Sequence, residues 1–208
     1  MKYIDFKNQI RAFPVFSTNH LTGFGKNVQV LRNQLTGWHR KGLVIRLRKG
    51  LYILNEADRR LTPSRMFLAN QLYVPSYVSA EYALHFYDLI PERVADLTSV
   101  APMKTTAFEN PFGRFLYQQI KASVFTGYRL LKDENDFIIH IAEPEKALLD
   151  YLYLNHSRFR DAAMIVESLR MQNLDILDRG KLTKYAALFG RTRVPDLTKQ
   201  LIAWTKGR

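Results

Sequence analysis

Residues 46–54 read RLRKGLYIL, a segment in which three cations give way to an apolar run directly after one glycine. The runs 43–48 and 51–54 both consist largely of residues that favour β-strands. Only Lys49 and Gly50 separate them, which is the length and composition of a two-residue β-hairpin turn. The sequence therefore predicts a hairpin with a charged tip.

The cations of this hairpin have no close acidic neighbour in the sequence. Side chains alternate between the two faces of a strand, so Ile45 and Leu47 are predicted on one face. Arg46 and Arg48 are then predicted together on the other. A solvated hairpin normally mixes charges of both signs, yet the nearest acid is Glu56. The tip is therefore predicted to contact an anion.

The positive charge of the chain is concentrated near its amino end. The 208 residues include 31 Lys and Arg against 19 Asp and Glu, which gives a formal net charge of +12. Residues 1–60 hold twelve of these cations and three of the acids, so they carry +9 of that excess. Clustered positive charge is typical of proteins that bind a polyanion such as nucleic acid.

Two short helices are predicted near the amino end, followed by a longer helix that leads into the hairpin. Residues 2–12 form the first, which Pro14 ends. Its predicted core residues are Ile4, Phe6, Ile10 and Phe13. The N-cap candidates at 17–19 predict a brief second helix through His20 and Leu21, and the glycine-rich segment 23–25 is the turn that follows it.

A third helix is predicted over residues 26–40. Its apolar residues recur at spacings of three and four and therefore share one face, formed by Val28, Leu31, Leu35 and Trp38. Gly37 is expected to weaken the last turn. The opposite face carries Lys26, Gln29, Asn33 and Arg40, with Arg32 on its flank. Amide side chains can pair with adenine, and cations with guanine or phosphate, although any solvated helix carries the same residue types.

The order of helix, helix, basic helix and basic hairpin is that of a winged helix-turn-helix, in which the third helix enters the major groove. Residues 1–60 are accordingly predicted to be a DNA-binding domain, and the alternative is an ordinary solvated helix and hairpin. The predicted DNA-binding residues are Lys26, Gln29, Arg32, Asn33, Arg40, Arg46, Arg48 and Lys49.

Residues 61–208 predict a second, mixed α/β domain, so that the whole chain is of the α+β class. Thr62 and Pro63 are predicted to begin one helix, Ser79 to cap another and Pro144 to open a third. Two or three further helices follow, one of them starting near Pro195. Between them, a small antiparallel sheet is predicted from the runs 97–100, 106–108, 112–120, 124–131 and 137–141.

The sequence contains no recognisable catalytic or metal-binding motif. It has no cysteine, and its five histidines share no metal-ligand spacing. The acids of segment 133–136 are predicted to belong to a hairpin loop rather than to a metal site. We therefore expect no enzyme activity, no cofactor and no metal. Without an apolar run of spanning length or a signal peptide, the chain is expected in the cytoplasm and not in a membrane.

Four strings of the sequence resemble the AbiEi-type antitoxins of type IV toxin–antitoxin (abortive infection) systems. They are RKGLYIL (48–54), YVSAEYALHFYDLIPE (77–92), LTSVAPMKTTAFENPFGRFLYQQIKASVFTGY (97–128) and AEPEKALLDYLYL (142–154). The resemblance covers roughly residues 43–154. Gly37 and Trp38, near the end of the third helix, depart from the family's pattern.

The resemblance implies a winged helix that represses its own operon at promoter inverted repeats in double-stranded DNA. It further implies a second domain that counteracts a nucleotidyltransferase-like toxin encoded alongside. The residues themselves leave two alternatives open. One is a free-standing regulator whose second domain senses a ligand or dimerises, and the other is an enzyme that acts on nucleic acid.

Overall fold

A computed structural model describes residues 1–17 and 28–206. Lys26, the predicted helix through His20 and Leu21, and the predicted turn at 23–25 lie outside these ranges. The first described elements are α1 (Tyr3–Ile10), β1 (Phe16–Ser17), α2 (Val28–Arg40), β2 (Val44–Arg48) and β3 (Leu51–Leu54). We call residues 1–17 and 28–60 the amino-terminal lobe.

The rest of the described chain, the carboxy-terminal lobe, mixes helices and strands. Its helices are α3 (Arg65–Leu72), α4 (Ala80–Phe86), α5 (Pro144–Asn155), α6 (Ala162–Ser168), α7 (Arg179–Leu188) and α8 (Val194–Lys206). Its strands are β4 (Tyr77–Val78), β5 (Leu97–Ala101), β6 (Thr106–Asn110), β7 (Gly113–Gln119), β8 (Tyr128–Lys132) and β9 (Ile138–Ala142). The fold is therefore mixed α/β, with two sheets and a carboxy-terminal helix.

The amino-terminal sheet has three antiparallel strands in the order β1-β3-β2. The predicted hairpin is confirmed. In its turn Gly50 adopts a φ of +80°, a conformation that residues with a Cβ atom disfavour. Strand β1 was not predicted, because a strand of two residues is too short to show an alternating pattern of apolar and polar side chains. Its pairing of Phe16 with Tyr52 ties the segment after α1 to the hairpin.

One hydrophobic core joins α1, α2 and the sheet of this lobe. Three of the four residues of the predicted α2 stripe are buried, namely Leu31, Leu35 and Trp38, and the side chain of Val28 lies outside the described part of the chain. On α1 the prediction was half wrong: Phe6 and Ile10 are buried, whereas Ile4 is 50% and Phe13 48% exposed. Ile4 lies about 200° around the helix from Phe6, and Phe13 follows the end of the helix.

Helix α2 continues through Gly37 to Arg40, so Gly37 does not end the helix early. The helix ends at Arg40, and Gly42, two residues further on, has a φ of +69°. The N–H of Leu43 donates to the carbonyl of Trp38 at 2.9 Å, a bond that closes the helix end and directs the chain into β2.

These two glycines predict opposite effects of the same substitution. A Cβ at Gly37 would meet nothing within 4 Å, so Gly37→Ala is expected to raise the free energy of unfolding by about 0.5 to 1 kcal/mol. Gly42→Ala is expected to lower it by about 1 to 2 kcal/mol, because its left-handed backbone disfavours a side chain. Urea denaturation of both variants checks this, and equal effects would contradict it.

The sheet of the carboxy-terminal lobe is mixed, so the prediction of an antiparallel sheet was wrong. Its six strands lie in the order β6-β7-β5-β4-β9-β8. The pairs β5·β7 and β4·β9 are parallel. Strand β9 pairs in parallel with β4, a two-residue strand that was not predicted. In the sequence, helix α4 and strands β5 to β8 lie between β4 and β9. Local pattern cannot reveal such a connection.

Two helix starts in this lobe differ from the prediction or refine it. Helix α3 is capped by Ser64, whose Oγ accepts from the N–H of Phe67 at 3.2 Å, rather than by Thr62. Ser79 occupies the N-cap position of α4 as predicted, but its side chain makes no cap bond. Pro144 opens α5 as predicted.

The hairpin lies between the two cores. Val44 and Leu54 belong to the core of the amino-terminal lobe, whereas Leu47, Leu51 and Ile53 belong to the core of the carboxy-terminal lobe. The amide Nδ2 of Asn110 on β6 also donates to the carbonyl of Leu47 at 3.3 Å. One face of the hairpin is therefore fixed against the carboxy-terminal lobe.

Candidate nucleic-acid interface

The exposed face of α2 carries the predicted amides and cations together. Its residues are Gln29, Arg32, Asn33, Thr36 and Arg40, all exposed. Their spacings of three and four place them along one side of the helix, opposite the buried stripe. Nε2 of Gln29 donates to Oδ1 of Asn33 at 3.2 Å, which holds the two amides side by side. Such a pair presents donors and acceptors of the kind that read base edges.

The hairpin next to α2 presents two exposed cations, Arg46 and Lys49. Arg46 pairs with Tyr52 across the ladder and lies on the same face as Val44, which packs toward α2. Lys49 occupies the turn itself. The hairpin tip is thus cationic, as the sequence predicted.

Arg48 does not share the face of Arg46, so this part of the prediction was wrong. The ladder shifts register between Arg46 and Arg48, and Arg48 pairs with Leu51 rather than continuing the alternation. A bulge of this kind re-aims the side chain that follows it. Because Leu51 belongs to the core of the carboxy-terminal lobe, Arg48 turns toward that lobe.

The surroundings of Arg48 agree with this orientation. It is half-buried and lines a cavity of about 380 Å³ with Lys49, Tyr73 and Phe108. Its Nη1 donates to the carbonyl of Lys49 at 3.1 Å, while its buried Nε contacts no acceptor among the described residues. Burial raises the pKa of the nearby Tyr117, and the charge of Arg48 opposes that rise.

The cations of the candidate interface are not neutralised by carboxylates of the described chain. Within the described part of residues 1–60 one ion pair forms, between Lys7 Nζ and Asp58 Oδ1 at 2.8 Å. Arg32, Arg40, Arg46 and Lys49 make none with described residues. Their charge therefore faces solvent and is free to attract an anion.

Asp58 fixes α1 to the end of the hairpin. Its Oδ1 accepts from Lys7, and its Oδ2 accepts from the Tyr3 hydroxyl at 2.6 Å. The same hydroxyl lies 3.0 Å from the carbonyl of Leu43, an acceptor at the start of the hairpin. These hydrogen bonds from Lys7 and Tyr3 lower the pKa of Asp58 below its usual value of 3.8.

Asp58→Asn is expected to lower the free energy of unfolding by about 1 to 2 kcal/mol at pH 7. Because the pKa of Asp58 is lower in the folded state, its contribution is complete above about pH 4 and is lost as the pH falls through the folded pKa. Urea denaturation should therefore show the difference between wild type and variant shrinking toward pH 3. Asp5→Asn, at an exposed carboxylate of the same lobe, is the control.

A buried polar cluster in the carboxy-terminal lobe was not predicted. It consists of Tyr77, Ser79, Lys146 and Asp150. Oδ2 of Asp150 accepts from the Ser79 hydroxyl at 2.7 Å and from the Tyr77 hydroxyl at 3.0 Å. Nζ of Lys146 donates to Tyr77 at 2.9 Å and to Oδ1 of Asp150. The cluster joins the segment from β4 to the start of α4 to helix α5.

The cluster is closed to solvent, since the side chains of Lys146 and Asp150 are 0% exposed. Burial lowers the pKa of Lys146 and raises that of Asp150, against the mutual attraction of the pair. The signal in the sequence was the i, i+4 spacing of Lys146 and Asp150 within the otherwise apolar segment 146–152. The closed cluster therefore links β4 and the start of α4 to α5 inside the core.

The described residues contain no group of three or more His, Asp or Glu arranged to hold a metal ion. Oδ1 of Asp133 accepts from the N–H groups of Asn135 and Phe137, which confirms the predicted loop between β8 and β9. No described helix is both long enough and apolar enough to span a bilayer.

No protein-family model matches the chain, and a search of curated proteins finds no significant match.

Proposed function

We propose that the protein is a transcriptional regulator whose residues 1–60 bind double-stranded DNA as a winged helix. The observations that carry this proposal are the exposed Gln29, Asn33 and Arg40 along one side of α2 and the cationic tip of the hairpin that follows α2 in the chain. These groups are exposed, and the cations lack carboxylate partners among the described residues.

The topology of the amino-terminal lobe supports a winged helix. In this class a recognition helix precedes a β-hairpin, and the hairpin extends to the DNA backbone beside the groove. Helix α2 and the β2–β3 hairpin follow one another in this order, and β1 completes a three-stranded sheet. In this proposal α2 lies in the major groove and Lys49 reaches the flanking phosphates.

The residues divide into two roles. Gln29 and Asn33 are proposed to contact base edges, because paired amides can make the bidentate contact that adenine accepts. Arg46 and Lys49 are proposed to contact phosphates, which fixes the position of the lobe without reading sequence. Arg32 and Arg40, on the same helix, supply phosphate or guanine contacts.

Gln29→Ala and Asn33→Ala are expected to reduce discrimination between the preferred site and other sequences by about 1 to 3 kcal/mol per lost base contact. Fluorescence anisotropy with a duplex from upstream of the protein's own gene, and with a shuffled duplex, measures this difference. Asn8→Ala, at an exposed asparagine of α1, is the control. Equal loss of affinity for both duplexes would contradict base reading.

We further propose that the regulator represses its own operon at inverted repeats and acts as an antitoxin against a nucleotidyltransferase-like toxin. This part rests on the resemblance to AbiEi-type antitoxins. Two of the strings that carry it, 77–92 and 142–154, contribute all four members of the buried polar cluster. Two of the segments that carry the resemblance therefore contact each other in the interior of the carboxy-terminal lobe.

Co-expression tests the antitoxin half separately. If a nucleotidyltransferase-like gene adjacent to the gene of this protein arrests growth, the full chain is expected to restore growth when co-expressed. Failure to restore growth, with DNA binding retained, would refute the antitoxin function and leave the regulator.

One observation favours a second candidate, a regulator whose carboxy-terminal lobe senses a ligand. A cavity of about 740 Å³ lies between the start of α7 and the end of α8. Its walls combine apolar residues such as Leu182 and Trp204 with charged Asp175 and Arg179. This mixture is typical of small-molecule sites, and a ligand that changes DNA affinity would favour this candidate.

A further inference from the structure

We infer that strand β8 is a self-association edge, at which a second copy of the chain adds its own β8 in antiparallel orientation. The first observation is the position of β8. It is an edge strand of the six-stranded sheet, and it pairs with β9 on one side. The opposite edge, β6, contacts the hairpin, where Nδ2 of Asn110 donates to the carbonyl of Leu47.

The outer backbone groups of β8 are available for pairing. The carbonyl of Gly127 accepts from Glu143, and the N–H of Asp133 donates to the carbonyl of Phe137. Every second residue of an antiparallel strand bonds to the same neighbour, so the backbone N–H and carbonyl groups of Arg129 and Leu131 also point to β9. The N–H and carbonyl groups of the intervening Tyr128, Leu130 and Lys132 point away from β9, and no described residue bonds to them.

The side chains along this edge are unusually apolar for an exposed position. Leu130 is 60% exposed, and Ile138, on the neighbouring strand, is 51% exposed. Tyr128 and Ile138 line a groove of about 540 Å³ that also includes Val74, which is itself 64% exposed. Contiguous exposed apolar groups beside an unpaired strand mark an interaction surface.

Natural edge strands often use cations to block association, but the two cations of β8 are engaged within their own chain. The guanidinium of Arg129 lies 5.2 Å from the centre of the Tyr87 ring, on the other face of the sheet. Nζ of Lys132 contacts Asp136 at 3.0 Å. Neither charge blocks the line of outward backbone groups.

The sequence of the edge is complementary to itself when reversed. Antiparallel pairing centred on Leu130 sets Leu130 opposite Leu130 of the second copy. It sets Tyr128 opposite Lys132 of the second copy, where the aliphatic part of the lysine side chain can pack on the ring. Each contact occurs twice about the two-fold axis, as an isologous interface requires. The same residues thus supply both sides of the pairing, and we therefore assign the second copy as the occupant.

The absence of cysteine from the chain allows a direct test with single substitutions. Paired residues across an antiparallel ladder have Cα atoms about 5.5 Å apart, within disulfide range. Leu130→Cys is therefore expected to form a disulfide-linked dimer on oxidation of the full chain. Tyr128→Cys is not, since the two Tyr128 positions are separated by four residues, roughly 14 Å.

Leu188→Cys, at another exposed leucine, is the control for disulfides formed by random collision, and it is expected to stay monomeric. In sedimentation, wild-type protein is expected to dimerise as concentration rises, and Leu130→Lys to remain a monomer with an unchanged circular dichroism spectrum. The inference is overturned if folded Leu130→Cys does not cross-link beyond the Leu188→Cys control. It is equally overturned if Tyr128→Cys cross-links as readily. DNA binding is not needed for any of these results.

Discussion

Replacing Arg40, Arg46 and Lys49 together by alanine is expected to weaken DNA binding roughly a hundredfold near physiological salt. Each phosphate contact releases counterions and contributes about 0.9 to the slope of log affinity against log salt. The loss of three phosphate contacts therefore reduces the magnitude of this slope by up to about 2.7. The substitutions are expected to leave the folded structure unchanged, because all three side chains are exposed. Anisotropy titrations at several salt concentrations measure both the loss of affinity and the change in slope.

Arg48→Ala is the informative comparison for this variant. The bulge turns Arg48 toward the carboxy-terminal lobe, so its removal is expected to leave the salt dependence nearly unchanged. If Arg48→Ala alone reproduced the loss of the triple variant, the assignment of phosphate contacts to Arg46 and Lys49 would be refuted.

Lys146→Met is expected to have the largest effect on stability, lowering the free energy of unfolding by about 3 to 5 kcal/mol. The substitution leaves the carboxylate of Asp150 buried without its cation, although Tyr77 and Ser79 still donate to it. Thermal and urea denaturation of the full chain measure this loss.

The double variant Lys146→Met with Asp150→Asn separates charge from packing. With both charges removed, no unpaired ion remains buried, so the double variant is expected to be more stable than Lys146→Met alone. A strictly additive loss would show that the two side chains act independently, contrary to their direct contact.

The parts of the fold that are set by neighbouring residues could be predicted from the sequence. The stripe of Leu31, Leu35 and Trp38 depends on helical spacing alone, and the hairpin depends on Lys49 and Gly50 between two apolar runs. Both signals lie within about a dozen residues, which is the range at which periodicity can be read.

The remaining features depend on contacts between distant residues. The orientation of Arg48 follows from a bulge that the carboxy-terminal lobe stabilises, and alternation alone assigned it to the wrong face. The parallel pair of β4 and β9 joins residues more than sixty positions apart. The buried cluster likewise needs Tyr77 and Asp150 to be brought together, which no local pattern encodes.

The most direct test of the central claim is the salt dependence of wild-type binding to a duplex from upstream of the protein's own gene. If the cations of α2 and the hairpin contact one duplex, log affinity falls linearly with log salt at a slope of about −3 or steeper. Absence of binding, or an affinity that does not change with salt, would contradict the DNA-binding function.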